Sequence, residues 1–272
     1  MEEPLKSSPA SKEYEVSGKT QIRIDSRFAE NEYSCVVAYA PIGNRQVNFE
    51  IKDFQQTSQA MTDTMGADLS AAFGKLNFQI GERDELQTIL NTNELEEAWR
   101  QKSKPQLLEK YADIPDFEPL LDNFGDNLKD ARKLLASIKD KGFYGLFFPE
   151  IKPLAREELP ARFVRTKIIR EFMPSIDLPI AENILVRQYA QEIIVEITGE
   201  LDKDKFDFPK YLELCKQMFR TEIEAENVSF QSAENYFLDK FTLQYKTAAR
   251  HLHFETKGVY FNDERQQFKP KE

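Results

Sequence analysis

Apolar and polar residues alternate with a period of two in two separated blocks of this chain. That alternation constrains the fold more than any other feature. Successive side chains of a strand point to opposite faces, so the pattern marks strands with one buried and one wet face. In the first block Ile22, Ile24 and Phe28 alternate with Gln21, Arg23, Asp25 and Arg27. A strand through Tyr33, Cys35, Val37 and Tyr39 follows, then one with Val47, Phe49 and Ile51 set against Asn48, Glu50 and Lys52. Pro41-Ile42-Gly43-Asn44 between them has turn chemistry. In the second block Ile193, Val195, Ile197 and Leu201 alternate with Glu196, Thr198 and Glu200. Val164, Ile168 and Phe172 suggest an earlier strand there, as do Ile184 and Val186. Later ones run over 228–230, 237–245 and 252–254. Half-wet strands with short connections argue for antiparallel pairing.

Elsewhere the period changes. Met61, Met65, Leu69 and Phe73 recur every four residues, the stripe of an amphipathic helix, with Thr57 or Ser58 to cap it and Gly74 to end it. Short strands are expected around 76–80 and 86–90. Asn93 can open a helix carrying Leu95 and Trp99, which Pro105 should stop or kink. A long helix is expected from about Asp116 to Lys141, ended by Gly142, and another over 208–219. The fold class that follows is α+β: antiparallel sheet with amphipathic helices, arranged as two similar β-α-β lobes, 14–91 and 160–262, around a helical segment, 92–159. The lobes form one domain or two, and one long curved sheet wrapped around the helices is the alternative. Residues 1–13 and 263–272 read as loose tails.

Bulk properties exclude several classes. The 272 residues suffice for a substantial core, and 40% apolar content is too high for a disordered chain. Charged residues reach 31%, and no apolar run approaches the ~20 residues needed to span a bilayer. The N-terminus has no basic start or apolar leader, so the chain is expected to be soluble and cytoplasmic, or exported with its leader removed. Cys35 and Cys215 stand far apart and read as reduced core thiols. The net charge of -10 argues against nucleic acid. The densest basic cluster, Arg156, Arg162, Arg165, Lys167 and Arg170, is diluted by Glu157, Glu158 and Glu171 and reads as the outward face of a strand.

No catalytic motif stands out. His251, His253 and Glu255 share one face if residues 251–255 form a strand, and two imidazoles with a carboxylate suit a divalent metal. The apolar Leu252 and Phe254 opposite favour the plainer reading, a solvated polar face. Asp202, Asp204 and Glu213 have calcium-loop spacing, but Asp207 stands where glycine is required and is better placed to cap a helix. Gly66 to Lys75 lacks the spacing and hydroxyl of a phosphate loop. Asp122, Asp126 and Asp130 read as a solvated helix face. The cluster Phe143, Tyr144, Leu146, Phe147 and Phe148 offers a partner or ligand surface if exposed and a core plug if buried, burial being usual for large aromatics.

Three functional readings follow. The first is a non-catalytic protein-binding or scaffolding protein that uses its sheet faces and the 143–148 aromatics. The second is a carrier of an apolar small molecule in a cavity between curved sheet and helices, with Met61 and Met65 among its lining. The third is a metal-dependent enzyme at His251, His253 and Glu255.

Overall fold

A computed structural model describes residues 11–173 and 175–272. The first block forms β1 (Lys12–Ile24), β2 (Arg27–Gly43), β3 (Gln46–Gln56), α1 (Met61–Ala71), β4 (Lys75–Ile80) and β5 (Leu86–Ile89). The middle forms α2 (Thr92–Ala98), a π-helical turn over Trp99–Ser103, α3 (Lys104–Lys110), α4 (Phe117–Lys129), α5 (Ala131–Ile138) and α6 (Gly142–Phe147). The second block forms β6 (Ala161–Met173), β7 (Ile176–Tyr189), β8 (Glu192–Leu201), α7 (Phe208–Phe219), β9 (Val228–Asp239), β10 (Tyr245–Thr256) and β11 (Tyr260–Pro270).

Among the described residues all eleven strands join one antiparallel sheet in the order β5-β4-β3-β2-β1-β11-β10-β9-β8-β7-β6. The chain starts at the middle of the sheet and steps outward to the β5 edge. The helical segment carries it to the opposite edge, β6, and it steps back until β11 pairs with β1, with Val16 opposite Phe268. Helix α5 packs against both edge strands, β5 and β6, so the sheet curves around the helices.

This architecture corrects the expected α+β fold with two similar lobes. The sheet dominates, and no α-helix among the described residues exceeds the 13 residues of α4. The two blocks merge because their alternation continues into segments that looked too polar to count. Residues 263–272, expected to be loose, supply most of β11: Gln266 and Phe268 point inward while Asp263, Arg265 and Gln267 point outward. Of the expected N-terminal tail, residues 1–10 lie outside the described residues, and Lys12 and Glu13 already belong to β1. The expected helix 116–141 is broken at Asp130, whose carboxylate accepts the backbone N–H groups of Arg132 and Lys133 at 2.9 and 3.2 Å and caps α5. Gly142 opens α6 rather than ending a helix. Pro105 falls in the first turn of α3, where its missing N–H costs little.

One face of the sheet carries the whole core, in two clusters. The larger lies under the helical middle. Its centre is Phe147 of α6, which stacks on Phe268 at 4.4 Å and meets Tyr14 and Phe49 edge-on at 5.4 and 5.2 Å. Phe147 therefore sits over the joint between the first and last strands. The smaller cluster lies towards the other ends of β6 to β10, where Tyr211 and Cys215 of α7 cover Ile180, Leu201, Phe230 and Phe254. Asp207 caps α7 by accepting the Lys210 N–H at 3.1 Å.

Candidate ligand-binding site

Along β9 every second residue points into the concave face: Val228, Phe230, Ser232, Glu234, Tyr236 and Leu238. Four are apolar or aromatic, but the two at the centre are polar. The same interruption crosses neighbouring strands in register. Glu234 faces Arg250 of β10, Arg250 faces Gln266 of β11, Gln266 faces Gly18 of β1, and Gly18 faces Tyr33 of β2. A polar belt thus separates the two core clusters.

Buried polar groups must be paired to be tolerated. Arg250 Nη2 donates to the Gly142 carbonyl at 2.9 Å and to Gln266 Oε1 at 2.7 Å, and Gln266 Nε2 donates to Tyr33 Oη at 2.8 Å. Tyr236 Oη donates to Glu234 at 2.5 Å. Arg165 Nε donates to buried Glu182 at 2.6 Å, and Lys167 pairs with Asp140 at 3.3 Å. Burial works against the Lys167 ammonium, but Asp140, Glu234 and Glu182 outweigh it and hold its pKa above the ordinary lysine value. Two glycines allow the close approach. A Cβ at Gly145 would run into Arg250 and the Asp140 carbonyl, and one at Gly199 into Ser232 and Ile180.

Beside this belt the packing opens into a cavity of about 250 Å³. Its floor is Ile169 and Phe172 of β6, Phe230 of β9, and Leu252 and Phe254 of β10. Its roof is the turn from α5 to α6, Asp140 to Gly142, and Asn262 and Glu264 of β11 supply its polar wall. Asn262 Oδ1 is enclosed yet has no hydrogen-bond partner. The cavity therefore combines an apolar floor with an unused acceptor and a carboxylate.

The histidines lie on the other face. His251 Nε2 is 2.7 Å and His253 Nδ1 is 3.1 Å from one oxygen of Asp263, in neighbouring β11. Glu255 lies 3.9 Å from the opposite ring nitrogen of His253, and Arg23 is 3.8 Å from Glu255. The carboxylate that joins the two imidazoles is thus Asp263, placed in a segment expected to be loose. Among the described residues no group of three His, Cys, Asp or Glu side chains is arranged to hold a metal ion.

The 143–148 cluster is placed in the core: Tyr144, Leu146, Phe147 and Phe148 are buried, and Phe143 is half-buried against Tyr33. Met61 is exposed and Met65 packs partly on the larger cluster, so neither lines the cavity. Of the basic cluster, Arg162 and Arg170 do point outward, whereas Arg165 and Lys167 point inward to their acids. The cavity residues and the belt were not singled out from sequence. Their signal is Glu234 and Arg250, charged residues at the inward positions of an alternation.

No protein family and no curated protein matches this chain. A solved structure described as lipid–protein interactions in lipovitellin is similar, with a TM-score of 0.54 at 10% sequence identity, over 96% of this chain and 25% of that one. The chain spans a quarter of the length of the lipovitellin chain. At this identity the likeness is one of fold. No helix among the described residues is long and apolar enough to cross a membrane.

Proposed function

We propose that the protein carries a single-chain apolar molecule ending in a hydroxyl, bound between the sheet and the α5–α6 turn. The observation that carries this reading is the cavity floored by Ile169, Phe172, Phe230, Leu252 and Phe254, with the unpartnered Asn262 acceptor in its wall. Its volume lies just below the roughly 300–1,000 Å³ of drug-sized sites, which suits one short chain rather than a two-chain lipid. Asn262 Oδ1 and Glu264 accept hydrogen bonds, and the two acids of the lining, Asp140 and Glu264, outnumber its one cation, Lys141, so the site favours an alcohol over a carboxylate. The fold likeness to a protein described by its lipid interactions supports the same reading. A protein-binding scaffold draws less support, because four of the five aromatic-cluster residues on which it rested are core.

Titration with decan-1-ol and decanoate, read by native mass spectrometry, tests it. The alcohol is expected to bind more tightly than the acid. Leu252→Trp, which fills the cavity from a half-buried position, should weaken the alcohol by roughly tenfold or more. Absence of alcohol binding, or binding that Leu252→Trp leaves unchanged, would overturn the reading.

A further inference from the structure

A second cavity, of about 450 Å³, opens at the far end of the helical segment. It lies between the ends of β1 to β4 and the stretch that follows α6, well away from the α7 cluster. Its walls carry four cations, Lys12, Arg45, Lys152 and Arg156, against two acids, Glu82 and Asp84. Arg45 pairs with Glu82 at 3.3 Å, and Lys152 with Asp84 at 3.1 Å. Lys12 and Arg156 form no ion pair among the described residues. The cavity thus keeps two positive charges beyond what its own acids neutralise, in a chain whose net charge is -10.

Two further observations mark it as built for a ligand. Tyr245 lines it, is 2% exposed, and its hydroxyl has no hydrogen-bond partner. An enclosed hydroxyl without a partner is costly unless something else supplies one. The Lys152 ammonium is held largely out of water over the Tyr245 and Tyr39 rings, 5.0 and 5.8 Å from their centroids. Together with Tyr14 these rings give the cavity an aromatic wall beneath a cationic rim.

We infer that this cavity binds a small organic oxyanion, a carboxylate or phosphate monoester joined to an apolar body. The anion sits between Lys12 and Arg156, the body lies on the tyrosine rings, and Tyr245 donates to an oxygen of the ligand. The site is separate from the alcohol-binding cavity and its electrostatics are opposite.

Calorimetric titration of the full chain tests it with phenyl phosphate, benzoate, inorganic phosphate and benzyl alcohol. Phenyl phosphate or benzoate should bind at least roughly tenfold more tightly than benzyl alcohol, and the stronger of the two identifies the head group. Inorganic phosphate should bind more weakly than phenyl phosphate. Arg156→Glu, at an exposed position, should cost roughly tenfold in anion affinity, and Tyr245→Phe less. Leu252→Trp should leave anion binding unchanged. The inference is overturned if no anion binds or if Arg156→Glu has no effect. Equal affinity for inorganic phosphate and phenyl phosphate also overturns it, by removing the aromatic wall from the account.

Discussion

The two clusters on the concave face are built from the same kinds of residue but covered differently. The larger is roofed by the helical middle, and α6 is apolar enough to drive Phe147 against Phe268, Tyr14 and Phe49. The smaller is covered mainly by α7, whose buried side chains are Tyr211 and Cys215, with the α5–α6 turn reaching over the rest. A single helix covers less of a broad sheet than several helices do, and the space left under the α5–α6 turn, bordered by Phe172, Phe230 and Phe254, is the cavity. The lesson is that one continuous sheet can be tightly packed under Phe147 and open on either side of it, at the cavity under the α5–α6 turn and at the one lined by Tyr14, Tyr39 and Tyr245. The polar belt of Glu234, Arg250 and Gln266 keeps the two regimes apart.

The strongest way to break this comparison is to make the same cut in both clusters. Phe147→Ala leaves a sealed void among rings and should cost near the upper end of about 3–5 kcal/mol. Phe254→Ala, at a residue just as buried, merely enlarges an existing cavity and should cost near the lower end of about 3–5 kcal/mol. Urea denaturation of both variants measures the difference. Phe254→Ala should also admit alcohols longer than decan-1-ol, whereas Phe147→Ala should not. Equal losses with unchanged ligand preference would mean that the two clusters are packed alike.

Much of the sheet was legible in the sequence, because alternation through Val47, Phe49 and Ile51 or Ile193, Val195 and Ile197 depends only on which face is wet. The helix 208–219 was legible for a similar reason: its apolar spacing and the Asp207 cap are both local. What was not legible depends on pairing between distant segments. Residues 263–270 carry one apolar side chain, Phe268, and become a strand only because β1 and β10 flank them. The break at Asp130 was masked because leucines on both sides keep a helical spacing. The cavity could not be read from any local pattern. Its floor draws on β6, β9 and β10, and its existence depends on where α6 stops covering them.

A smaller effect sharpens the contrast from the side of the roof. Asp207→Ala removes the hydrogen bond to the Lys210 N–H and should cost about 1 kcal/mol. Because α7 is the main cover of the smaller cluster, the loss should appear as faster amide hydrogen exchange in α7 and at the Phe230 and Phe254 ends of β9 and β10. Exchange under the helical middle should change little. Uniform acceleration across both clusters would show that they open as one unit.

The smallest expected effect lies on the convex face, behind the same strands. Burial alone would raise the Asp263 pKa, but hydrogen bonds from His251 and His253 and the charge of Arg265 outweigh it, holding the carboxyl below the ordinary aspartate value. A carboxyl depressed in the folded state adds stability above its unfolded pKa of about 3.9, and this is lost as the pH falls through the folded value. Wild-type protein should therefore exceed Asp263→Asn in stability at pH 7 by at most about 1 kcal/mol, since His251 is substantially solvated. Urea midpoints measured from pH 7 down to pH 2 should show that margin shrinking only below about pH 4. A margin that does not change with pH would mean that Asp263 stabilises β10 and β11 by its shape and hydrogen bonds rather than by its charge.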